Sequence, residues 1–428
     1  MSQEERKKQL TKALTDARAK TLWLLGQVPD DFLRRRVHSF YSPIGWHFGH
    51  VGRTEEYWVV SEALKQPVLD PDLTFLFADL PDNPKDNRVN IPNRSGTIEY
   101  LDRTRQRVIA ALEACDLSKD DRYLGDGYAW EFALQHECQH QETITEMLQL
   151  IHKQIDPTPV EAHRWNSEHK PEMLEILGGT FCMGSANRHD YDNEADPHHV
   201  EIDRFRLAKH PVTAYEWTLF MEDGGYSRAE LWTKEGWDWR ESENAVAPEY
   251  WIRQERGWAF FSPLGPRPIH PDEPASCLSW FEADAYARWA GKRLPTEAEW
   301  EYSASVDPST GLSRRHPWGA QTATAQHACY GLNDWGPSIV GSYPLGASAF
   351  GIHDMAGSIW EWTSSKFLPY PGFRAFPYDG YSKDHMKGAH HVCRGGSWAT
   401  AAPILRSSFR NWYVPTYRQG FLGLRLAE

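Results

Sequence analysis

YAWEFALQHECQHQETITEMLQLIHK, residues 128–153, runs without a glycine and reads as one long helix. Upstream, three more stretches have the same character, at 3–27, 42–65 and 95–115, with apolar residues at three- and four-residue intervals such as Leu101, Val108, Ile109 and Leu112. The connection at 67–94 is rich in Pro and Asp and reads as too polar and punctuated to enter a core. Four helices of this length predict a bundle, whose facing side chains are a common place for a metal site.

Downstream the texture changes. IDPTPVEAHRWNSEHKP (155–171) loses periodicity and gains prolines, which predicts a linker over 156–170. Beyond it, short apolar runs such as MLEILGGTFCMGS (173–185) and HHVEIDRFRLAKHPVTA (198–214) are broken by Gly-Gly, Asp and Pro, as in hairpins and loops. One clear helix interrupts them, SWFEADAYARWAGKR (279–293), with Gly291 as its stop. The expectation is a multidomain α and α+β protein: a four-helix bundle over 1–155, then a loop-rich α+β domain over 171–428.

Composition narrows the function. The 428 residues carry 46 Lys and Arg against 59 Asp and Glu, a formal charge of −13, with no basic cluster of the kind phosphate binding needs, so a nucleic-acid role is excluded. No apolar run approaches the roughly 18–20 residues that cross a bilayer, and MSQEERKKQLTKAL is charged where a signal peptide turns apolar. A cytoplasmic protein without a membrane partner is expected. Six cysteines, none in a CxxC pair, read as reduced thiols. Twenty Trp against 18 Tyr and 18 Phe is an excess of large flat side chains that composition alone leaves unexplained.

In LQHECQHQE (134–142), His136 and His140 stand four residues apart and share one helical face, with Glu142 following. That spacing lets two imidazoles reach one ion at about 2.0–2.2 Å. A third ligand is available in GWHFGHVGRTEEYW (45–58), where either His47 or His50 can point inward from the second helix. Glu142 is a ligand, an acceptor orienting an imidazole, or a surface charge. Three neutral imidazoles suit iron(II) with dioxygen or catalytic zinc, and ligand type does not choose between them.

At these residues the chain resembles the nonheme iron sulfoxide synthases of ergothioneine biosynthesis, with the ovothiol-pathway synthases as close relatives. The first part is similar to a DinB-type four-helix bundle carrying HxxxHxE, and the second to the formylglycine-generating-enzyme type of C-type-lectin-like domain. Its markers are GKRLPTEAEWEYSAS (291–305), HDMAGSIWEWTSS (353–365), CRGGSW (393–398) and FRNWYVPTYRQGFLGLRLA (409–427).

The resemblance implies an O2-dependent enzyme that uses Fe(II) to join a thiol sulfur to the imidazole C2 of hercynine and oxidises that sulfur to the sulfoxide. It assigns His50, His136 and His140 as iron ligands, with His47 behind them, and Gln139, Asn411 and Trp412 as contacts of the betaine. It also implies a tyrosine that donates a proton or electron near oxygen; FPYDGYS offers Tyr378 and Tyr381, with Tyr378 the match by spacing. Members that use γ-glutamylcysteine carry Asp after Asn-Trp and Arg a few residues on. Here Tyr413 and Tyr417 stand there, with Arg418 one place later, so free cysteine is the expected sulfur donor. Arg88 and Arg94 in DNRVNIPNR are the candidate cations for its carboxylate. The alternatives are histidine as acceptor, γ-glutamylcysteine or a selenium donor, and, from a different class, a noncatalytic metal- and ligand-binding protein. Formylglycine-generating chemistry is not expected, because Cys393 stands alone in VCRGGSW with no later cysteine.

Overall fold

The structure, a computed structural model, describes residues 1–155, 165, 167–255 and 257–428, in two compact units, Met1–Ile155 and Asp156–Glu428. The linker expected over 156–170 lies outside the described residues except for 165 and 167–170. Among the described residues no helix is long and apolar enough to cross a membrane.

The first unit contains α1 (Gln3–Gln27), α2 (Ile44–Glu55), the short α3 (Pro71–Leu76), α4 (Arg94–Ala114) and α5 (Tyr128–Ile155). Local chemistry sets the starts: Ser2 and Glu5 form a capping box on α1, and Asp70 and Asn93 cap α3 and α4. The continuation of α2, Glu56–Ala63, widens to a π-helix.

One buried charge cluster ties the four long helices together. Arg18 of α1 donates to Glu137 of α5 (2.9 Å) and to Glu55 of α2 (2.7 Å), while Arg105 of α4 donates to Glu55 (2.7 Å) and also to Glu137. Thr21 and Thr104 donate to the same two carboxylates, at 2.7 and 3.2 Å. Two acids and two bases leave no net charge, and the added hydroxyls satisfy the remaining lone pairs, the condition under which buried ions are tolerated. The cluster fixes the rotation of each helix. With Glu137 turned toward α1 and α4, the adjacent face of α5, carrying His136 and His140, is turned toward α2.

The connection between α2 and α4 does enter the core, against expectation. Phe77, Ala78 and Ile91 are buried, and Phe77 and Ile91 pack with Trp46 and Tyr100. Glycines make this possible: a Cβ on Gly49 would lie 2.1 Å from the Phe77 ring, and one on Gly45 2.4 Å from Ile91.

The second unit is assembled from small sheets and loops. Strands β1 (Met173–Ile176) and β4 (Phe205–Ala208) pair, as do β2 (Gly179–Met183) and β3 (His198–Ile202); β5 (Trp251–Gln254), β6 (Gly257–Ser262) and β7 (Gly265–Pro268) form a meander. Helices α6 (Ala214–Glu222), α7 (Lys234–Glu243), α8 (Trp280–Trp289) and α9 (Glu297–Ser305) intervene, α8 starting at a Ser279/Glu282 capping box. The central sheet has the order β10 (Asn411–Tyr413), β9 (His391–Arg394), β8 (Trp360–Lys366), β11 (Leu422–Leu424), and a single helical turn, α10 (Asp379–Ser382), lies between β8 and β9 in the chain.

Here the tryptophan excess finds its use. Trp217, Trp300, Trp362 and Trp398 are among the largest fully buried side chains. Trp300 donates to Glu361 (2.7 Å), Trp362 to the Leu278 carbonyl (2.8 Å) and the half-buried Trp280 to the Thr363 carbonyl (2.9 Å). An indole fills volume and also satisfies an acceptor that a sparse ladder leaves open. Buried pairs do the same where a loop meets a regular element, Arg425 with Glu361 of β8 (2.8 Å) and Arg410 with Glu297 of α9 (2.7 Å).

Candidate metal centre

Side chains of α2 and α5 bring His50, His136 and His140 together, each offering one nitrogen within 4.8 Å of the other two. Their ring centroids form a near-regular triangle, 4.9, 4.9 and 4.5 Å on a side. Glu142, buried on the same helix, is not part of this set.

The surroundings orient the rings. His50 Nδ1 lies 2.6 Å from the Phe77 carbonyl oxygen, to which only a protonated Nδ1 can donate, so Nε2 is the free nitrogen. His140 Nδ1 lies 3.2 Å from His47 Nδ1, and in the tautomer in which His140 donates, its Nε2 keeps the free lone pair. Trp46 stacks on His50 at 4.4 Å and 17°, and the Arg88 guanidinium covers Trp46 at 4.4 Å. Sequence reasoning missed Phe77 and Trp46; the one signal for the former was Gly49, the notch that admits its ring.

Burial holds all four histidines in the neutral form. Desolvation and the neighbouring imidazoles push His47, His50 and His136 well below the usual value, and His140 is pushed down to about 4 by burial, against the pull of Asp79 and Glu137. Neutral imidazole is the ligand form. Two buried nitrogens, His136 Nδ1 and His47 Nε2, have no hydrogen-bond partner. Such an orphan costs about 1–3 kcal/mol, and coordination by His136 is one way to satisfy it. The donor set fits a divalent transition metal with open positions.

The other expected site residues divide by unit. Gln139 is half-buried beside His140 on α5. Arg88 is buried and donates to the Asn83 carbonyl (2.9 Å), Ser42 (3.0 Å) and Asp79 (2.6 Å). Arg94 pairs with Asp30 (2.7 Å) and donates to the Leu25 and Val28 carbonyls, capping the end of α1.

In the second unit, Trp412 stacks flat on Phe367 (4.1 Å, 6°) and meets Tyr381 edge-on (5.7 Å, 87°). Tyr381 stacks on Tyr191 at 4.3 Å, whereas Tyr378 stands 6.5 Å from Tyr381 and is more exposed. Asn411 Nδ2 reaches the Tyr413 hydroxyl at 3.4 Å, and Tyr413 covers the buried Tyr417 ring at 4.1 Å and 11°. Arg418 is buried on Glu282 (3.0 Å), an acid whose approach in space nothing in the local sequence announces. Cys329 and Cys393 are both buried.

The Sulfatase-modifying factor enzyme 1-like domain family matches residues 159–428, and the DinB superfamily matches residues 13–144. The hercynine oxygenase of Mycolicibacterium thermoresistibile is 37% identical to this chain, covering 98% of it and 94% of that protein. The hercynine oxygenase of Mycobacterium tuberculosis is likewise 37% identical, covering 98% of each. The formylglycine-generating enzyme of Mycobacterium tuberculosis is 30% identical, covering 52% of this chain and 87% of that enzyme.

Proposed function

The chain belongs to the hercynine oxygenase family, and from that premise we propose that it is an oxidoreductase that joins the sulfur of cysteine to the imidazole C2 of hercynine at an Fe(II) site. The product is the sulfoxide. A C2–H and an S–H bond are lost, a C–S and an S–O bond form, and the second oxygen atom leaves as water, so the substrates supply the four electrons that reduce O2. Zinc has no redox chemistry, so a reaction that consumes dioxygen calls for a redox-active metal, which supports the iron(II) reading.

The observation that carries the reading is the triangle of His50, His136 and His140, with the other nitrogens of His50 and His140 fixed by Phe77 and His47. Iron held by these three imidazoles would relay the substrates' electrons to O2 and would keep positions open for substrates. The rest is the work of side chains. A quaternary ammonium cannot donate a hydrogen bond, and ring faces and amide oxygens suit it: Trp412 and Asn411 are such groups in the second unit, and Gln139 in the first. Tyr378 and Tyr381 supply the hydroxyl that delivers a proton near oxygen. Tyr413 and Tyr417, lacking an acid and a guanidinium, favour a thiol without a glutamyl arm. Arg88, one ring behind His50 and paired with Asp79, is the cation proposed for the carboxylate of cysteine.

The test is anaerobic reconstitution with iron(II), then oxygen uptake with hercynine or histidine, each paired with cysteine or γ-glutamylcysteine. Uptake is expected with hercynine and cysteine. A preference for γ-glutamylcysteine would refute the reading of Tyr413 and Tyr417. Absence of substrate-dependent uptake would leave a noncatalytic metal-binding protein.

A further inference from the structure

Both tyrosines lie on the stretch 376–382, and one short segment, residues 190–194, grips it. That segment is firmly held. Asp190 pairs with Arg315 (3.0 Å) and Arg406 (3.2 Å), and Glu194 accepts from Arg406 Nε (2.9 Å) and Ser408 Oγ (2.8 Å). The Asn193 carbonyl accepts from Arg410 (3.0 Å), the residue immediately before Asn411 and Trp412. The anchors of the segment therefore run directly into the strand expected to hold the betaine.

Asp192 stands between these paired acids and differs from both. It is buried, and the groups around its carboxylate, among the described residues, are Ser382, the Phe376 and Asn193 backbone and Glu194, with no cation. One oxygen accepts the Phe376 N–H (3.1 Å), and the other accepts the Ser382 hydroxyl, which itself accepts from Asn193 Nδ2 (3.0 Å). These two contacts bracket Tyr378 and Tyr381. Between them the Tyr191 ring stacks on Tyr381 at 4.3 Å and 22°. A buried carboxylate without a cation is unfavourable, and burial pushes this one up to about 6. Such a group is retained at a cost in stability, and the geometry shows what it holds.

We propose that Asp192 is a positioning residue for the tyrosine stretch: by accepting from Phe376 and Ser382 at once, it sets the orientation of Tyr378 and Tyr381. The inference rests on the proposed role of those tyrosines. Misplacement of an acting group by about 1 Å lowers turnover by roughly 100-fold while leaving substrate affinity largely intact.

The test uses the full iron-loaded chain with Asp192→Ala, Asp192→Asn and Ser382→Ala, the last removing one contact should the first prove unstable. Three measurements are made: amide hydrogen exchange over 376–385, kcat and KM for hercynine, and the ratio of sulfoxide to sulfinic acid. Faster exchange is expected in that stretch, with kcat down about 10- to 100-fold, KM within about threefold and a product shift in the direction produced by Tyr378→Phe. Asp192→Asn, keeping one acceptor, should fall between wild type and alanine. In a Tyr378→Phe, Tyr381→Phe background, Asp192→Ala should not change the ratio further. Unaltered exchange, or an additive change in that background, overturns the positioning role. Faster exchange with tyrosine variants that make the normal product refutes the tyrosine reading instead, and with it any part for Asp192 in the chemistry.

Discussion

His50 Nδ1 lies 2.6 Å from the carbonyl oxygen of Phe77, and that contact exists because Gly49 leaves room for the Phe77 ring. Backbone oxygen, ring and glycine form one device: the ring seats the loop, the loop places the oxygen, and the oxygen selects the tautomer of a ligand. Gly49→Ala should therefore weaken iron(II) binding about tenfold or more and destabilise the first unit by about 1–3 kcal/mol, with helicity kept. Anaerobic iron titration and far-UV circular dichroism read both. Unchanged affinity would remove Phe77 from the metal site.

Loss of a ligand and loss of its support should differ in degree. His136→Ala should abolish stoichiometric iron binding. His47→Ala removes only the partner of His140 Nδ1 and should weaken binding about 10- to 100-fold. Equal loss in both variants would make His47 a ligand.

The tyrosines are separable by substitutions that keep the ring. Tyr378→Phe should shift product from sulfoxide toward sulfinic acid. Tyr381→Phe retains the stack on Tyr191 and the edge contact with Trp412, so hercynine KM should stay within about threefold. An unchanged product ratio in Tyr378→Phe, with a changed one in Tyr381→Phe, would transfer the role to Tyr381.

How far the sequence announced this molecule depends on the scale of the interaction. The long helices were legible because spacing of apolar residues is a local property, and His136 with His140 because four residues make one turn and a little more. The 67–94 connection was misjudged because Phe77, Ala78 and Ile91 enter the core singly, with glycine notches and no period to report them. Arg418 on Glu282, Arg94 on α1 and Asp192 on Ser382 join residues far apart in the chain, and no spacing rule encodes such partners.

Asp354 offers a test of the second unit's electrostatics. Burial pushes its carboxyl up to about 6, although the Gly341 N–H donates to it at 2.7 Å and Arg425 pulls the other way. The unfolded value is near 3.8, so between the two the native state binds more protons, and this group lowers stability as pH rises through that window. Asp354→Asn keeps an acceptor and tolerates the left-handed backbone there, with φ at 58°. It should be more stable than wild type by about 1–3 kcal/mol at pH 7, with the difference gone below pH of about 4. Denaturant unfolding at the two pH values checks this; a loss of stability at pH 7 would show that the charge itself is required.

The central claim, that three histidines hold the iron at which hercynine and cysteine are joined, is met most directly by measuring O2 consumed against sulfoxide formed, identified by mass, in the iron-loaded wild type and in His136→Ala. The account predicts one O2 per sulfoxide in the wild type and neither uptake nor product in the variant. Product formation by a variant that no longer binds iron, or iron-dependent uptake that yields only oxidised cysteine, would contradict it.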